Sequence, residues 1–183
     1  MYRWATVLLA CVVFVAAPVA ADQNDPRLEK LFAQLKAAPS YEAAQPAEAA
    51  VWGLWGETDD PAVRILMGSG IAAMARRDYR LALEKFDQVV TIAPEFAEGW
   101  NKRATIYYFL GLYPASLSDI EKTLMLEPRH FGALSGRGLV LIELGEEELA
   151  LESFDAALAI HPNLPGAAIN AKILRKRIGD RAI

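Results

Sequence analysis

A regular repeat constrains this chain more than any other feature, and the evenly spaced prolines Pro94, Pro128 and Pro162 mark its period. Each proline ends a segment with the same apolar pattern. Two sets of small residues and one set of larger apolar residues recur in register: Gly70, Ala104 and Gly138; Ala82, Ser116 and Ala150; Phe86, Ile120 and Phe154. These prolines are 34 residues apart. A unit of this length is a pair of helices that cannot bury its apolar face alone, so neighbouring units must stack.

Each period contains two segments with helical spacing, joined by a tight turn. In the first period these segments are residues 64–75 and 79–92. Gly111 and Gly145 lie at the later turns, where glycine ends a helix because it adopts a positive φ at little cost. The proline that closes each period stops the second helix, because proline lacks the N–H group that the helix needs. The sequence therefore predicts about nine helices and no strand.

This pattern resembles the tetratricopeptide repeat and covers the central part of the chain. The repeats are expected at residues 63–96, 97–130 and 131–164. The resemblance implies an all-α fold, a right-handed α-solenoid of helix hairpins with an N-terminal cap hairpin and a C-terminal capping helix. Proteins of this family are interaction scaffolds, so the resemblance also implies a protein or peptide segment as the partner.

The residues before the first repeat carry a weaker version of the pattern. Residues 22–62 are expected to form a helical hairpin that is either a cap or a degenerate repeat. One period back along the chain, Trp52 is level with Phe86, but the small residues are missing at the expected points. Pro39 is expected to end the first helix of this segment, which leaves residues 37–46 as a predicted loop.

Residues 165–183 are predicted to form the C-terminal capping helix and a tail. A terminal helix with a polar outer face covers the last apolar surface of a repeat array. The basic residues of this segment are Lys172, Arg175, Lys176, Arg177 and Arg181. We interpret them as the solvated face of the helix; a docking patch for an anionic lipid or an acidic partner is the alternative.

The first helix of each tetratricopeptide repeat lines a concave groove, so the resemblance implies a set of partner-binding residues. They are Arg64, Met67, Ile71, Met74, Glu98, Asn101, Thr105, Tyr108, Phe109, His130, Ser135, Leu139 and Glu143. Some of these side chains, Leu139 especially, can instead belong to the core. Members that grip a peptide carboxylate use paired Lys and Asn side chains, where this chain has Met67, Ile71, Gly132 and Gly136. The resemblance therefore favours an apolar groove for a helix or an extended peptide.

The residues that catalysis or metal binding needs are sparse in this chain. The two histidines, His130 and His161, each lie close to a proline that ends a repeat, and neither belongs to a spacing typical of metal ligands. No glycine-rich phosphate loop is present. We therefore expect no enzymatic activity, no metal and no cofactor. The formal net charge of −4 also argues against nucleic acid as a general partner.

Arg103 and Arg137 occupy the same position in successive repeats. An arginine at a packed position usually pairs with a carboxylate of an adjacent helix. Asp87, Glu121 and Asp155 share one register and are the predicted partners. We interpret these residues as ion pairs that set the register of the helices. Their net contribution to stability is expected to be small, because desolvation offsets the attraction.

Residues 1–21 have the layout of a secretory signal peptide. Arg3 precedes an apolar run over residues 5–17, and a stretch of small residues ends at Ala21. Cleavage after Ala21 is expected, which predicts a periplasmic or secreted protein. An uncleaved membrane anchor is the alternative, although the run is shorter than the roughly 20 residues of a spanning helix. Cys11 is the one cysteine of the chain, so a processed protein must fold without disulfides.

Two functions are consistent with these observations. The first is an exported, non-enzymatic scaffold that binds a partner segment in its apolar groove, with no membrane contact apart from the leader. The second is a structural subunit whose groove is filled by its own N-terminal segment or by a second copy. Residues 22–61 discriminate between the two, because the second function gains if this segment packs across the groove. The sequence does not determine the oligomeric state.

Overall fold

The computed structural model describes residues 22–181, and helices are the regular elements of that part of the chain. A short 3-10 helix, Asp22–Asn24, precedes nine α-helices within these residues. They are α1 (Arg27–Ala37), α2 (Tyr41–Gly56), α3 (Pro61–Ala75), α4 (Tyr79–Ile92), α5 (Ala97–Phe109), α6 (Tyr113–Leu126), α7 (Phe131–Glu143), α8 (Glu147–Ile160) and α9 (Pro165–Arg181). The predicted all-α solenoid is confirmed for residues 22–181, where no helix is long and apolar enough to cross a membrane. The predicted leader, residues 1–21, lies outside the described residues.

Three helical hairpins stack in chain order to form the array. They are α3–α4, α5–α6 and α7–α8, and α9 packs on α8 at the C-terminal end. Each second helix also packs on the first helix of the next hairpin, as α4 does on α5. The first helices α3, α5 and α7 share one side of the array, which is called the concave side below.

A small residue of the first helix meets a larger residue of the second helix in each hairpin. The pairs are Gly70 with Phe86, Ala104 with Ile120, and Gly138 with Phe154. A Cβ added to Gly70 would lie 2.6 Å from Cε1 of Phe86, and one added to Gly138 would lie 2.6 Å from Cζ of Phe154. Each ring therefore occupies the space that a side chain on the first helix would take. This packing confirms the predicted role of the small and large positions.

The turns inside the hairpins each hold one residue in the left-handed conformation. Gly111 has a φ of 72° and Gly145 a φ of 81°, as the sequence predicts. The equivalent residue of the first hairpin is Arg77, with a φ of 60°. A side chain in this conformation is less favourable by roughly 1–2 kcal/mol, because its Cβ approaches the following carbonyl oxygen. The first turn is therefore strained where the other two are not.

Arg103 joins three helices through ion pairs. Its Nε and Nη2 groups donate to Asp119 of α6 at 2.7 and 2.8 Å, and its Nη1 group donates to Asp87 of α4 at 2.9 Å. The hydrogen bonds to Asp119 hold the pKa of Arg103 above its usual value. The predicted pairing of Arg103 with Asp87 is confirmed. The pairing with Asp119 was not predicted, because Asp119 does not share the repeat position of Asp87, Glu121 and Asp155.

The corresponding prediction for Arg137 is wrong. Within residues 22–181, Arg137 forms no ion pair with Glu121 or Asp155. Ser153 stands where the previous repeat has Asp119, so the bidentate partner is missing. Asp155 instead contacts Arg175 and thereby connects α8 to the C-terminal helix.

The N-terminal segment contains two helices with a shorter connection than predicted. The predicted loop over residues 37–46 is wrong, because α2 already begins at Tyr41. Ser40 sets this start by accepting a hydrogen bond from the backbone N–H of Ala43 at 3.3 Å. Pro46 lies inside α2 on its exposed side, where water can satisfy the carbonyl group that proline leaves unpaired.

The α1–α2 hairpin does not stack on α3 as a further repeat. Packing between α2 and α3 is marginal, whereas α2 contacts α5 and α1 contacts α8. A buried cluster joins both helices to Phe131 at the start of α7, with Ile160 and Leu164 at its edge. The hairpin therefore lies across the concave side of the array.

Replacing Phe86 by Ala is expected to lower the free energy of unfolding by about 3–5 kcal/mol, because it leaves a cavity at the centre of the first hairpin. Phe109→Ala is the matched control, since Phe109 is 50% exposed. Urea denaturation followed by circular dichroism measures both variants. Equal losses of stability would contradict this assignment of core and surface.

Arg77→Gly is expected to raise the free energy of unfolding by up to about 1 kcal/mol, because glycine adopts a positive φ without the Cβ clash. Gly111→Ala makes the opposite change at the equivalent turn and should lower the free energy of unfolding by a similar amount. Thermal denaturation of the two variants checks the signs. A lower Tm for Arg77→Gly would show that the first turn is not strained.

Candidate functional site

The concave side contains a cavity of about 310 Å³ between α5 and α7. Trp52 of α2 forms part of its wall, and Gly166 contributes from the start of α9. Six of the predicted groove residues line it: Asn101, Thr105, Tyr108, Phe109, Ser135 and Leu139. The stacking of α5 on α7 therefore brings these predicted residues into one site.

The lining of the cavity is mainly apolar. Some of its polar groups already form hydrogen bonds within the protein. Thr105 Oγ1 donates a hydrogen bond to the backbone oxygen of Asn101 at 2.9 Å. Phe109 stacks on Tyr79 with ring centres 5.1 Å apart, and half of Phe109 remains exposed. Burial raises the pKa of Tyr108, so its hydroxyl group stays protonated at neutral pH. The site can therefore bury an apolar side chain and offer a phenol as a hydrogen-bond donor.

Five other predicted residues do not line the cavity. Met67 belongs to the buried core of the first repeat. Arg64 Nη2 donates a hydrogen bond to the backbone oxygen of Thr58, which precedes α3, at 2.9 Å. Ile71 is exposed and Met74 is half-buried. Glu143 lies at the end of α7 and accepts a hydrogen bond from the hydroxyl group of Tyr113 in α6. The predicted residues that line the cavity therefore all belong to the second and third repeats.

Glu98 and His130, the last two predicted residues, form a buried polar cluster. His130 Nδ1 accepts a hydrogen bond from the backbone N–H of Ala133 at 3.0 Å and so caps α7. His130 Nε2 therefore carries a proton and donates it to Glu98 Oε2 at 3.0 Å. Glu98 also accepts from Asn101 Nδ2 at 2.8 Å and pairs with Lys102 Nζ at 2.7 Å. All these partners belong to the array itself.

The surroundings of Glu98 favour its ionised form. Burial by itself would raise the pKa of Glu98, but the hydrogen bond from His130 and the charge of Lys102 outweigh burial. The pKa of Glu98 therefore lies below its ordinary value of 4.5. No group of three or more histidine, cysteine, aspartate or glutamate side chains within residues 22–181 is arranged to hold a metal ion.

Two tryptophans of α2 cover this polar cluster. The Trp55 ring stacks on the His130 ring, with centres 4.1 Å apart and an angle of 11° between the planes. Trp52 meets Phe131 edge to face at 5.3 Å, and Lys102 Nζ lies 5.3 Å from the centre of the Trp52 ring. The part of the concave side next to the cavity is therefore occupied by the chain's own N-terminal hairpin.

A close approach of backbone to ring makes this contact possible. A Cβ added to Gly132 at the start of α7 would lie 2.4 Å from Cη2 of Trp52. Any larger residue at this position would push the ring away. Family members that grip a peptide carboxylate have a cation at this position. This chain has glycine, which leaves room for the Trp52 ring.

Polar contacts at the rim of the hairpin add to the aromatic contacts. Asn163 Nδ2 donates to the backbone oxygen of Ala38 at 2.8 Å, and Gln23 Nε2 donates to the backbone oxygen of Glu95 at 3.0 Å. Glu29 of α1 forms an ion pair with Arg129, which follows α6. The hairpin is thus tied to the array at several separate points.

At the contact between the hairpin and the array, three polar atoms are buried without a hydrogen-bond partner among residues 22–181. They are Trp55 Nε1 and both ring nitrogens of His161. Glu48 Oε2 lies 3.4 Å from His161 Nε2, which is not a hydrogen-bonding geometry. A buried polar group without a partner costs about 1–3 kcal/mol, and native structures contain few of them. These atoms therefore find no hydrogen-bond partner among the protein groups of the described residues.

Sequence reasoning named six of the residues that line the cavity but missed the role of Trp52 and Trp55. Both tryptophans have helical spacing, and the register places Trp52 level with the core residue Phe86. The register thus indicated a core position inside a further repeat. The missing small residues of this segment were the available signal that it does not stack in the same way.

Glu98→Gln tests the buried carboxylate through the pH dependence of stability. Because the pKa of Glu98 is lowered on folding, its contribution is present above about pH 4.5 and is lost as the pH falls through the folded-state pKa. At pH 7 the variant should be about 1–3 kcal/mol less stable, and the difference should shrink in acid. Glu152→Gln, on an exposed position of α8, is the control. A difference that stays constant from pH 7 to acid, measured by urea denaturation, would contradict the assignment.

Comparisons with known proteins agree with this architecture. A family model described as the tetratricopeptide repeat matches residues 67–121 and 101–165. A TPR repeat-containing protein of Rhizobium etli is 35% identical over 136 residues, which cover 74% of this chain and 67% of that protein. The small glutamine-rich tetratricopeptide repeat-containing protein 2 of Saccharomyces cerevisiae is 31% identical over 91 residues, 50% of this chain and 26% of that protein.

A solved structure has the same fold over the repeats. The first TPR domain of Spaghetti (RPAP3), bound to the HSP90 peptide SRMEEVD, superposes with a TM-score of 0.64 at 20% sequence identity. The match covers 66% of this chain and 96% of that domain. From the matched family model and the Rhizobium etli relative, this chain belongs to the tetratricopeptide repeat family.

Proposed function

We propose that this protein is a non-enzymatic scaffold that holds a segment of another protein in the cavity between α5 and α7. The observation that carries the proposal is the cavity itself, which is about 310 Å³ in volume and mainly apolar. An engineered apolar cavity of about 150 Å³ binds benzene, so this one has room for one or two apolar side chains. The HSP90 peptide bound by a structural neighbour supports a peptide segment as the kind of partner.

The charges around the cavity favour recognition by apolar burial over an ionic clamp. No lysine or arginine is among the residues that line the cavity in the described structure. Lys102 lies nearby, but it pairs with Glu98 at 2.7 Å and faces Trp52. Arg64 lies outside the cavity and donates to a backbone oxygen. Among the described residues, a partner carboxylate would therefore find no free cation in the site.

The α1–α2 hairpin supports a second candidate function. This hairpin covers Glu98, His130 and Phe131 with Trp52 and Trp55. The protein would then be a structural subunit whose concave side is filled by its own N-terminal segment. Because Phe109 lines the cavity and is half exposed, we give the binding function first place. Covalent trapping of partners by a photoreactive residue in place of Tyr108 separates the two candidates.

The site of action is proposed from the leader. Arg3, the apolar run over residues 5–17 and the small residues that end at Ala21 support export to the cell envelope. N-terminal sequencing of the protein from fractionated cells tests this proposal. A protein that begins at Asp22 in the exported fraction would support it, and an unprocessed protein in the cytoplasmic fraction would contradict it.

Phe109→Ala is expected to weaken binding of the trapped partner by about tenfold, because burial of a phenylalanine side chain contributes about 1.5–3 kcal/mol. Binding should also tolerate a rise in salt from low to high concentration, since few charges take part. Fluorescence anisotropy with a labelled partner peptide measures both effects.

Two control variants define the outcome of this test. Arg64→Ala removes the cation of the first repeat that was predicted to line the groove, and Ile92→Ala removes an exposed apolar side chain from α4, outside the cavity. Both should leave the affinity unchanged. A loss of binding that follows salt and Arg64→Ala, with Phe109→Ala silent, would overturn the apolar site and restore a charged clamp.

A further inference from the structure

We propose that the α1–α2 hairpin is a detachable occupant of the concave side, and that the segment which displaces it is a helix with two aromatic side chains three residues apart. Trp52 and Trp55 of α2 have this spacing in the docked hairpin. The proposal rests on the proposed function, since it names the kind of segment that the scaffold binds and the event that opens its site.

The hairpin is joined to the array by a short connection and takes no part in the stack. Residues 57–60 link α2 to α3, and packing between these two helices is marginal. The carboxylate of Asp60 caps α3 by accepting from the backbone N–H groups of Ala62 at 2.7 Å and Val63 at 3.2 Å. The first repeat therefore begins without support from α2. The helix pairs α3–α4, α5–α6 and α7–α8 do not include the hairpin, although Phe131 would lose its buried neighbours in α1 and α2 on detachment.

The charged groups under the hairpin keep their partners when the hairpin leaves. Glu98 retains all three of its hydrogen-bonding and ionic partners, because they belong to α5 and to the start of α7. Arg129 retains Glu127 at 3.0 Å when its pair with Glu29 opens. Glu29 is 78% exposed, so that pair adds little to docking. Detachment therefore leaves no buried charge without a partner in this surface.

The docked state buries polar atoms that the detached state would release. Trp55 Nε1 and both ring nitrogens of His161 have no hydrogen-bond partner within the described part of the chain. Water reaches these atoms once the hairpin moves away, which favours detachment. The stacking of Trp55 on His130 and of Trp52 against Phe131 favours docking. The first effect weakens docking of the hairpin and the second strengthens it, so the hydrogen-exchange rates of α1 and α2 measure the balance between them.

The docking surface specifies the chemistry of the competing segment. One aromatic ring fits between Gly132 and Lys102, and a second fits over the His130 ring. The cavity of about 310 Å³ continues beyond Trp52 and is left unfilled by α2. A partner helix with the same aromatic pair and an additional apolar side chain would fill both parts. Such a segment would bury apolar surface that α2 leaves uncovered, which favours it in competition with the hairpin.

Native-state hydrogen exchange of the full chain tests the detachment. The amides of α1 and α2 should exchange together and at least about tenfold faster than those of α5 to α8, because the hairpin opens without the array. Gly132→Ala should raise the exchange rates of α1 and α2 further, since its Cβ would lie 2.4 Å from Trp52. The same change should leave the rates in α8 unaltered, because alanine is a better helix former than glycine.

The control and the contradicting outcome follow from the same measurement. Leu112→Ala removes a half-exposed leucine from the turn between α5 and α6, at the opposite end of α5 from Glu98. It should leave the exchange of α1 and α2 unchanged. If α1 and α2 exchange at the same rate as α5 to α8 in the unmodified chain and in Gly132→Ala, the hairpin is an integral part of the fold and the proposal fails.

A labelled peptide of residues 40–57 tests the chemistry of the competing segment. The Trp55→Ala chain should bind this peptide at least about tenfold more tightly than the unmodified chain, because its own hairpin competes less for the surface. Gly132→Ala should not bind it, and a peptide with alanine at positions 52 and 55 should bind to none of the chains. Equal affinity of the unmodified and Trp55→Ala chains for the intact peptide would overturn the proposal.

The failure of this proposal and that of the proposed function give different results. If the hairpin detaches and binds in trans but the photoreactive residue at Tyr108 captures no protein, the proposed function fails and the hairpin is a device for self-association. If Tyr108 captures a partner while α1 and α2 exchange only with the array, the scaffold function stands and the detachable hairpin does not.

Discussion

The contact between a small residue on the first helix and a large residue on the second is the interaction on which the whole structure depends. Gly70 admits the ring of Phe86, and Gly138 admits the ring of Phe154. These contacts hold the two helices of a hairpin close together, and the stacking of hairpins then places α3, α5 and α7 on one side. The cavity exists because α5 and α7 are held at this spacing with glycine and alanine, which fill little space, between them.

The second determinant of the site is the closed polar cluster around Glu98. A buried carboxylate is stable only with compensating partners, and His130, Asn101 and Lys102 supply them from the array itself. His130 also caps α7, so the same side chain orients the helix that forms the other wall of the cavity. The α1–α2 hairpin therefore finds a preformed surface and contributes aromatic rings to it. Among the described residues, Glu98 therefore takes none of its hydrogen bonds or ion pairs from the hairpin.

The sequence predicted the repeats well because each repeated contact joins residues close in the chain. Gly111 and Gly145 were predicted at positive φ, and both have it, since the turn is local. The ion pairs were predicted less well. Asp87 was found by register, but Asp119 was not, and Arg137 lacks the bidentate partner because Ser153 stands at the position of Asp119. A shared register identifies equivalent positions, whereas an ion pair also requires the right side chain at the opposing position.

The sequence alone determined that this chain forms stacked helical hairpins, because a regular period with matched small and large positions can bury its apolar faces in that way. The resemblance to the tetratricopeptide repeat also predicted that Tyr108, Phe109 and Leu139 face one groove, and all three line the cavity. Only the tertiary structure decided where the N-terminal hairpin packs. The spacing of Trp52 and Trp55 shows that they form one apolar face, but it does not show which surface covers that face. The open space at Gly132 and the flat ring of His130 settle this question, and both are properties of the assembled array.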